Sequence, residues 1–430
     1  MSEWKHLKIG DLVNPEKHSC VGGPFGSNLV SEDYIDAPGI PVIRGNNFVL
    51  GSRYFYDKGF VFVSEEKADS LFQNTAYPGD LVFTQRGTIG NVALIPNDSK
   101  FPKYILSQNL MKLSVDSEKA DQRFICYYFL SPKVQQIITR NSVGSTIPGF
   151  NLTQLRDFPV SLPSLKEQTE IADILFGLDR KISNLRQQNE TLEAIAQTLF
   201  KHWFVDFEFL NEDGKPYKSS GGEMVRSDLG EIPVGWRVGT LEVCLEHLID
   251  NRGKTPEFFD HGIPALSAKF VKGGDLVNRD SFNYVSHELF EQSEKLRIGD
   301  VILTSEAPLG ETYFIAQETN YYPAQRVFAL RANKSIISYS YLNYWLSSST
   351  GQFFLKRRAS GSTVQGIKQS ELYLCEVIIP DRKIQDKASD ALAKILSKKE
   401  MNSDQIQTLT ETRDVLLPKL MSGKLRITAS

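Results

Sequence analysis

The sequence predicts an α+β protein in which two duplicated mixed α/β domains are separated by a pair of long antiparallel coiled-coil helices. Three observations predict this fold class. The chain has 430 residues, which is more than one compact core usually accommodates. Short motifs recur in one order at an offset of roughly 220 residues, which indicates an internal duplication. Each copy ends in a segment whose apolar residues follow heptad spacing.

The repeated motifs show which parts of the two copies correspond. In each copy a Gly-Ile-Pro triplet comes first, a Gly-Asp pair before an apolar run comes second, and a Gly-Ser-Thr triplet comes third. One shared triplet arises easily by chance, whereas several in the same order indicate duplication. The corresponding segments are Gly39–Pro41 and Gly262–Pro264, Pro78–Thr84 and Ile298–Thr304, and Gly144–Thr146 and Gly361–Thr363.

The first mixed domain is predicted over residues 1–163 and the second over residues 236–380. Both contain short β-branched and aromatic runs bounded by Gly, Asn, Asp and Ser, a pattern typical of strands between turns. Longer apolar stretches in each domain favour helices. The predicted elements include strands at Ile40–Ile43, Leu81–Thr84 and Val92–Ile95 and helices at Tyr127–Ile138 and Ser338–Leu355.

A long helix is predicted after each mixed domain, over residues 164–208 in the first copy and 381–424 in the second. Apolar residues of the first helix recur at alternating spacings of four and three residues from Ile171 to Trp203, which is the spacing of a coiled-coil seam. We expect the two helices to pair with each other in antiparallel orientation. The alternative is that each helix packs only on its own domain. Residues 209–235 are rich in Gly and Ser and are predicted to form an exposed connector.

Polar residues interrupt the seam at a few positions. Asn189 is the polar position of the first helix, and Lys399, Asn402 and Arg413 interrupt the second. Single buried polar residues in a coiled coil typically fix its register and its partner at some cost in stability. We therefore expect Asn189 to specify how the helices pair.

Composition and motif content exclude several classes of function. The 49 basic and 52 acidic residues give a formal charge of −3, so charge alone gives no support to nucleic-acid binding. The four cysteines are far apart and the six histidines lack metal-ligand spacing, so the sequence predicts no metal site. No phosphate-binding loop, dinucleotide fingerprint or nucleophile elbow occurs, and we expect no catalytic residue in this chain. Residues 1–13 lack the apolar region of a signal peptide, and no apolar run is long enough to cross a membrane, so we expect a cytoplasmic protein.

Four segments of the chain carry a recognisable combination of motifs. Leu162–Ile182 and Leu416–Leu425 resemble the start of the central helical region and the C-terminal end of type I restriction–modification specificity subunits. Gly222–Arg226 and Leu229–Trp236 resemble the usual lead-in to the second recognition domain. The resemblance covers essentially the whole chain.

The resemblance implies two target-recognition domains, each of which reads one half of a bipartite site in double-stranded DNA. It also implies docking of two methyltransferase subunits and of restriction (motor) subunits, and no catalysis by this chain itself. S-adenosylmethionine, ATP and Mg²⁺ would then belong to the partner subunits. Two other hypotheses stay open: a protein-binding coiled-coil scaffold without direct DNA readout, and a duplicated enzyme with an unrecognised site.

Candidate DNA-binding residues lie in polar loops that follow predicted strands. Arg, Lys, Asn, Ser and Thr side chains can read base edges in the major groove or position the protein on phosphates. The basic segments before the two Gly-Ser-Thr triplets are expected to contact phosphate because they recur in both copies. The candidates are Ser27, Asn28, Arg44, Asn46, Asn47, Arg86, Thr88, Arg140 and Asn141 in the first domain and Lys269, Ser305, Lys356, Arg357 and Arg358 in the second.

Candidate partner-binding residues lie at the ends of the two long helices. The segment Leu199–Phe207 carries more large apolar side chains than one seam can bury, and a surplus of this kind predicts an exposed docking patch. Packing against the second helix is the alternative. The candidates are Phe200, Trp203, Phe204, Phe207, Leu417 and Leu420.

Overall fold

The computed structural model describes residues 4–36, 38–48, 55–87, 89–142 and 149–427. It divides into two compact units, the first made of Met1–Ile182 and Thr408–Ser430 and the second of Ser183–Gln407. Each unit contains one of the predicted mixed domains and one end of each long helix. The mixed helix and strand content agrees with the predicted fold class. Among the described residues no helix has both the length and the apolar content needed to span a bilayer.

The first unit is built on two small sheets and a separate strand pair. Its first sheet is antiparallel, and the strand Leu81–Thr84 in its interior is completely buried. Its second sheet contains a parallel pair formed by Ile40–Ile43 and Tyr104–Leu106. In spatial order the strands are Cys20–Gly22, Leu110–Leu113, Leu81–Thr84 and Val92–Leu94 in the first sheet, and Val61–Val63, Ile40–Ile43, Tyr104–Leu106 and Thr75–Ala76 in the second, with Lys5–Lys8 paired to Pro159–Leu162.

The second unit repeats this plan. Val301–Thr304 occupies the buried interior position that Leu81–Thr84 occupies in the first unit. The parallel pair recurs between Ile263–Leu266 and Tyr322–Pro323. The strands are Leu245–Asp250, Val327–Ala332, Val301–Thr304 and Thr312–Phe314 in the first sheet, and Asn283–Val285, Ile263–Leu266 and Tyr322–Pro323 in the second, with the pairs Arg237–Thr240 with Glu376–Ile379, Met224–Ser227 with Gly230–Pro233, and Val271–Lys272 with Asp275–Leu276.

The helices also correspond between the units. The two predicted domain helices are each divided in two, because Ser131 and Ser348 have extended backbone between the segments. The helices of the first domain are Glu65–Ser70, Gln122–Leu130, Pro132–Ser142 and Leu152–Asp157. Those of the second are Leu241–Cys244, His287–Gln292, Tyr339–Ser347, Ser349–Arg357 and Gln369–Tyr373.

The duplicated Gly-Asp motif has a structural role in both units. Gly79 and Gly299 adopt positive φ angles of 90° and 95°, which glycine accepts without steric cost. Asp80 is buried and accepts hydrogen bonds from the Tyr77 amide and the Lys112 ammonium, both at 2.9 Å. Its counterpart Asp300 forms an ion pair with Arg331 at 2.7 Å. In each unit the glycine of the motif therefore allows the chain to turn before the central strand. The aspartate that follows forms an ion pair with a basic residue of a neighbouring strand.

Two long helices dominate the remaining structure. The central helix, Leu165–Phe200, continues into a π-helical turn at Lys201–Val205, and the C-terminal helix spans Arg382–Met421. Seam residues of the central helix such as Ile171 and Ile182 are completely buried. The two helices pair within each unit, so the alternative in which each packs only on its own domain is wrong.

The helices pair antiparallel in each unit through polar seam residues. In the second unit Asn402 donates to Asn189 at 2.9 Å, and Asn189 donates to the Lys399 carbonyl at 3.1 Å. In the first unit Arg413 forms a 2.8 Å ion pair with Asp179. Asn189 therefore joins the two helices; that it specifies how they pair stays a prediction.

Asp179 lies at the centre of a buried polar triad in the first unit. Its side chain is 1% exposed and accepts hydrogen bonds from the Tyr127 hydroxyl at 2.6 Å and from the Arg413 guanidinium at 2.8 Å. Tyr127 belongs to the first mixed domain, Asp179 to the central helix and Arg413 to the C-terminal helix. The triad therefore connects all three parts of this unit.

A buried glutamine fixes the start of each long helix to the mixed domain of the same unit. Gln168 accepts a hydrogen bond from the Asp121 amide at 3.1 Å and donates to the Pro163 carbonyl at 3.1 Å. In the second unit the Oε1 atom of Gln385 accepts from a main-chain amide at 2.9 Å, and its Nε2 atom donates to two main-chain carbonyls at 3.0 Å. Both glutamines are 1% exposed. We call this arrangement the glutamine contact.

Candidate nucleic-acid interface

Two of the predicted DNA-binding residues of the first domain meet in one groove. Arg44 follows the buried strand Ile40–Ile43 and Arg86 follows Leu81–Thr84, so both are projected from rigid strands. They line a cavity of about 770 Å³, which we call the first groove. The amides of Asn91, Gln108 and Asn109 also line it. These are side-chain types that read base edges.

The first groove has an unsatisfied donor. The Nε atom of Arg44 is buried and has no hydrogen-bond partner among the described residues. Buried polar atoms in native proteins are almost always paired, so an unpaired one inside a groove is consistent with a partner supplied by a ligand. Arg86 is exposed and forms no ion pair with any residue that the structure describes. Its guanidinium is therefore available to a ligand.

The second domain has a groove that includes two of the same loops. The second groove has a volume of about 490 Å³ and is lined by Ser305, Glu306, Gln325 and Arg326. In this groove the Ser305 amide donates to the Arg326 carbonyl at 2.8 Å. The same bond in the first domain joins the Gln85 amide to the Asn109 carbonyl at 2.7 Å. The two grooves therefore share the loop after the central strand and the loop that faces it, while their other walls differ.

The second groove also contains an unsatisfied polar atom. Ser305 is 1% exposed, and its hydroxyl has no hydrogen-bond partner within the described ranges of the chain. Beside it, the Nε atom of Arg326 lies 3.0 Å from a carboxylate oxygen of Glu306. Ser305 was predicted as a DNA-binding loop residue. The structure instead buries it in the wall of the groove, with its hydroxyl without a hydrogen-bond partner among the described residues.

The Gly-Ser-Thr turn of the second domain borders the second groove. Ser360 and Gly366 exchange two backbone hydrogen bonds, of 2.8 and 2.9 Å, and both line the groove. Ser362 and Thr363 are exposed in the loop between them. The corresponding triplet of the first domain, Gly144–Thr146, lies outside the described residues.

Six other predicted DNA-binding residues are exposed but do not line either groove. Ser27, Asn28 and Asn46 are exposed in short 3₁₀ helices at Gly26–Asn28 and Gly45–Asn47. Arg140 and Lys356 are exposed at the ends of their helices, and exposed Lys269 has its ammonium 4.6 Å from the ring centre of Phe270. Thr88 and the side chain of Asn141 lie outside the described residues.

Three predicted DNA-binding residues have other roles. Asn47 is completely buried; its Oδ1 accepts from the Arg44 amide, and its Nδ2 donates to two carbonyls, so it shapes the loop. Arg357 lines a separate pocket together with Phe204. Arg358 pairs with Glu376 at 3.3 Å and Glu371 at 3.6 Å; burial lowers its pKa, but the hydrogen bond to Glu376 leaves that pKa above its ordinary value. Burial argues against base contact by Asn47, whereas phosphate contact by Arg357 and Arg358 stays a prediction.

The predicted docking patch is not on the surface. Phe200, Phe204 and Phe207 are 2%, 1% and 8% exposed and pack in the core of the second unit, and Trp203 is half-buried beside them. Leu417 and Leu420 are buried in the core of the first unit. The three phenylalanines are buried because the second mixed domain packs against them. The heptad pattern describes only contacts between the helices and therefore could not indicate this. The prediction of an exposed patch is wrong.

The long helices expose other apolar side chains. Ile174 and Val415 are 43% and 54% exposed in the first unit, and Ile195 and Met401 are 51% and 59% exposed in the second. Large apolar side chains with this exposure on long helices are candidates for contact with a partner.

The sequence analysis did not select the loop that precedes Leu110–Leu113 in the first domain and Val327–Ala332 in the second. Gln108 and Asn109 in the first domain correspond to Gln325 and Arg326 in the second. The recurrence of glutamine at these two positions was the available signal. Among the described residues no group of His, Cys, Asp and Glu side chains could hold a metal ion.

Comparisons with known proteins identify the family. The family model described as the type I restriction modification DNA specificity domain matches residues 1–194 and 233–411. The MjaIX type I specificity subunit of Methanocaldococcus jannaschii is 27% identical over 99% of this chain and 94% of its own length. The HindI specificity subunit of Haemophilus influenzae is 23% identical over 99% of this chain and its full length. The type I S subunit from M. genitalium has the same fold, with a TM-score of 0.60, 16% identity and coverage of 99% of this chain and 97% of that chain. The chain belongs to the type I restriction–modification specificity subunit family.

Proposed function

We propose that this chain reads a bipartite DNA target, with one half read by each mixed domain through its groove. The observation that carries the proposal is that the same two loops line an arginine-containing groove in each domain. A duplicated reading surface suits a target of two separate halves. The net charge of −3 is compatible with this role because each groove is lined by two arginines and partner subunits can supply further phosphate contacts.

We further propose that the chain has no catalysis of its own and docks enzymes that do. Two methyltransferase subunits would supply S-adenosylmethionine chemistry, and restriction subunits would supply ATP hydrolysis and Mg²⁺-dependent cleavage. The chain would be active in the cytoplasm, where these subunits and their DNA target meet. Methyl transfer by the purified chain alone would contradict this part of the proposal.

Removing the arginines of the first groove should weaken DNA binding. In the complex with methyltransferase subunits, we expect Arg44→Ala and Arg86→Ala each to cost about 1–3 kcal/mol of binding free energy if they contact bases. If one contacts phosphate, the slope of log affinity against log salt should fall by about 1. The measurement is fluorescence anisotropy at several salt concentrations, on a duplex that carries the site methylated by the wild-type complex.

Lys100→Ala is the matched control, because Lys100 is an exposed cation of the same domain outside the first groove. It should bind as the wild type does. Normal affinity of both arginine variants would exclude the first groove as the DNA site. No DNA binding by the wild-type complex would instead favour the protein-binding scaffold without direct readout.

Docking of the methyltransferase subunits should depend on the exposed apolar residues of the long helices. We expect Ile174→Ser/Val415→Ser to remove one methyltransferase subunit and Ile195→Ser/Met401→Ser to remove the other. Because these side chains are already exposed, thermal unfolding of the chain should change little. Native mass spectrometry of the purified complex measures the subunit count.

Leu374→Ser is the control for docking, because Leu374 is 44% exposed but lies outside the long helices. It should leave both methyltransferase subunits bound. A full complement of subunits in both double variants would place docking elsewhere on the chain.

A further inference from the structure

We infer that the second groove reads a G·C base pair through Glu306 and Arg326, a pair that the first groove does not have at the corresponding positions. Arg86 in the first groove corresponds to Glu306 in the second, and Asn109 in the first corresponds to Arg326 in the second. The first groove thus has an arginine on the loop after its central strand, whereas the second has it on the facing loop beside a carboxylate. This inference rests on the proposed function of the grooves as DNA-reading sites.

The Glu306–Arg326 pair has the chemistry to read a G·C base pair. In the major groove guanine presents the O6 and N7 acceptors, and cytosine presents its N4 amino donor beside them. Arginine donates to the guanine acceptors, and glutamate accepts from the cytosine amino group. The Arg326 Nε and Glu306 Oε1 atoms are 3.0 Å apart, so a donor and an acceptor are held side by side. Both side chains remain open to a ligand, at 57% and 42% exposure.

The backbone at Arg326 restricts which residues this position accepts. Arg326 has a φ angle of 63°, a left-handed conformation that glycine and asparagine adopt more readily than arginine. Asparagine therefore keeps the backbone conformation and removes only the guanidinium. The Ser305 hydroxyl lies in the wall of the same groove but is buried, so the exposed Glu306 and Arg326 side chains are the groups that a base can reach.

The first groove offers a different pair of groups. Arg86 has no carboxylate partner among the described residues, and its donors match guanine. Asn109, which lines the same groove, has an amide whose donor and acceptor together match adenine, and it lacks the carboxylate charge of Glu306. The two halves of the target should therefore differ at the positions that these residues contact.

Methylation mapping of DNA from cells that express the full methyltransferase complex tests the inference. Arg326→Asn and Glu306→Gln should each relax the same G·C position in one half of the motif, with a loss of discrimination of about 5- to 150-fold. Arg86→Asn should relax a position in the other half only. Asparagine suits the left-handed backbone at position 326, and unfolding temperatures of the purified variants identify any loss of folding.

Arg297→Ala is the control, because Arg297 is an exposed arginine of the second domain outside the groove. It should leave the motif unchanged. An unchanged motif in Arg326→Asn and Glu306→Gln, or relaxation at a position other than G·C, would overturn the inference while the wild-type motif upheld the proposed function. A wild-type complex that methylates DNA without a two-part motif would overturn the proposed function itself.

Discussion

Replacing Phe204 with aspartate is expected to unfold the second unit. Phe204 is 1% exposed, and its ring centre lies 4.9 Å from that of Tyr341 and 5.1 Å from that of Phe200. Loss of a buried aromatic side chain costs about 3–5 kcal/mol. A buried carboxylate without a partner adds several kcal/mol more. Such a total is a large fraction of the stability of an ordinary domain, about 5–15 kcal/mol.

Thermal unfolding followed by circular dichroism measures this effect. Phe353→Asp is the matched control, because Phe353 belongs to the same unit but is 58% exposed and should tolerate the charge. A Phe204→Asp variant that kept the wild-type unfolding temperature and lost only its methyltransferase subunits would restore the docking role that was predicted from the sequence.

Replacing Asp179 with alanine is expected to cost about 3–5 kcal/mol of unfolding free energy, as breaking a buried ion pair usually does. The variant leaves the Arg413 guanidinium buried without its 2.8 Å partner, and the Tyr127 hydroxyl loses its 2.6 Å acceptor. Arg413 also contacts Asp414 at 2.7 Å, which places the expected cost at the lower end of this range. Urea unfolding of the wild type and the variant gives the difference.

A double variant distinguishes the stability lost by leaving one charge unpaired from the stability lost by changing the packing. Asp179→Leu/Arg413→Met removes both charges and should recover much of the lost stability, because paired replacement of a buried ion pair by apolar residues is often nearly neutral. If Asp179→Ala alone cost less than about 1 kcal/mol, the pair would behave like an exposed salt bridge and would not hold this unit together.

Local pattern and duplication were sufficient to predict much of the fold. The strand Leu81–Thr84 has the predicted bounds, and the helices Leu165–Phe200 and Arg382–Met421 lie within the predicted ranges. Heptad spacing extends over many residues and therefore gives a strong signal. The pairing of Lys5–Lys8 with Pro159–Leu162 joins residues far apart in the chain, and no local pattern indicates it.

The candidate site was predicted less completely, because burial depends on contacts from distant segments. The positions of Arg44 and Arg86 after apolar strands indicated that both could be projected from the sheet, and the structure places them in one groove. Asn47 has the same polar character in the sequence but is buried by loop contacts that only the fold creates. Phe204 likewise has no partner in the heptad pattern of its own helix, but the mixed domain covers it in the folded chain.

The glutamine contact has a consequence for how such proteins can change their target. The side chains of Gln168 and Gln385 bond to main-chain atoms of the mixed domains and not to their side chains. A domain with an entirely different sequence can make the same bonds if its backbone follows the same path at these points. We therefore expect one domain to be exchangeable for another without change to the helices, and if each domain reads one half-site as proposed, a single recombination event would give the complex a new half-site.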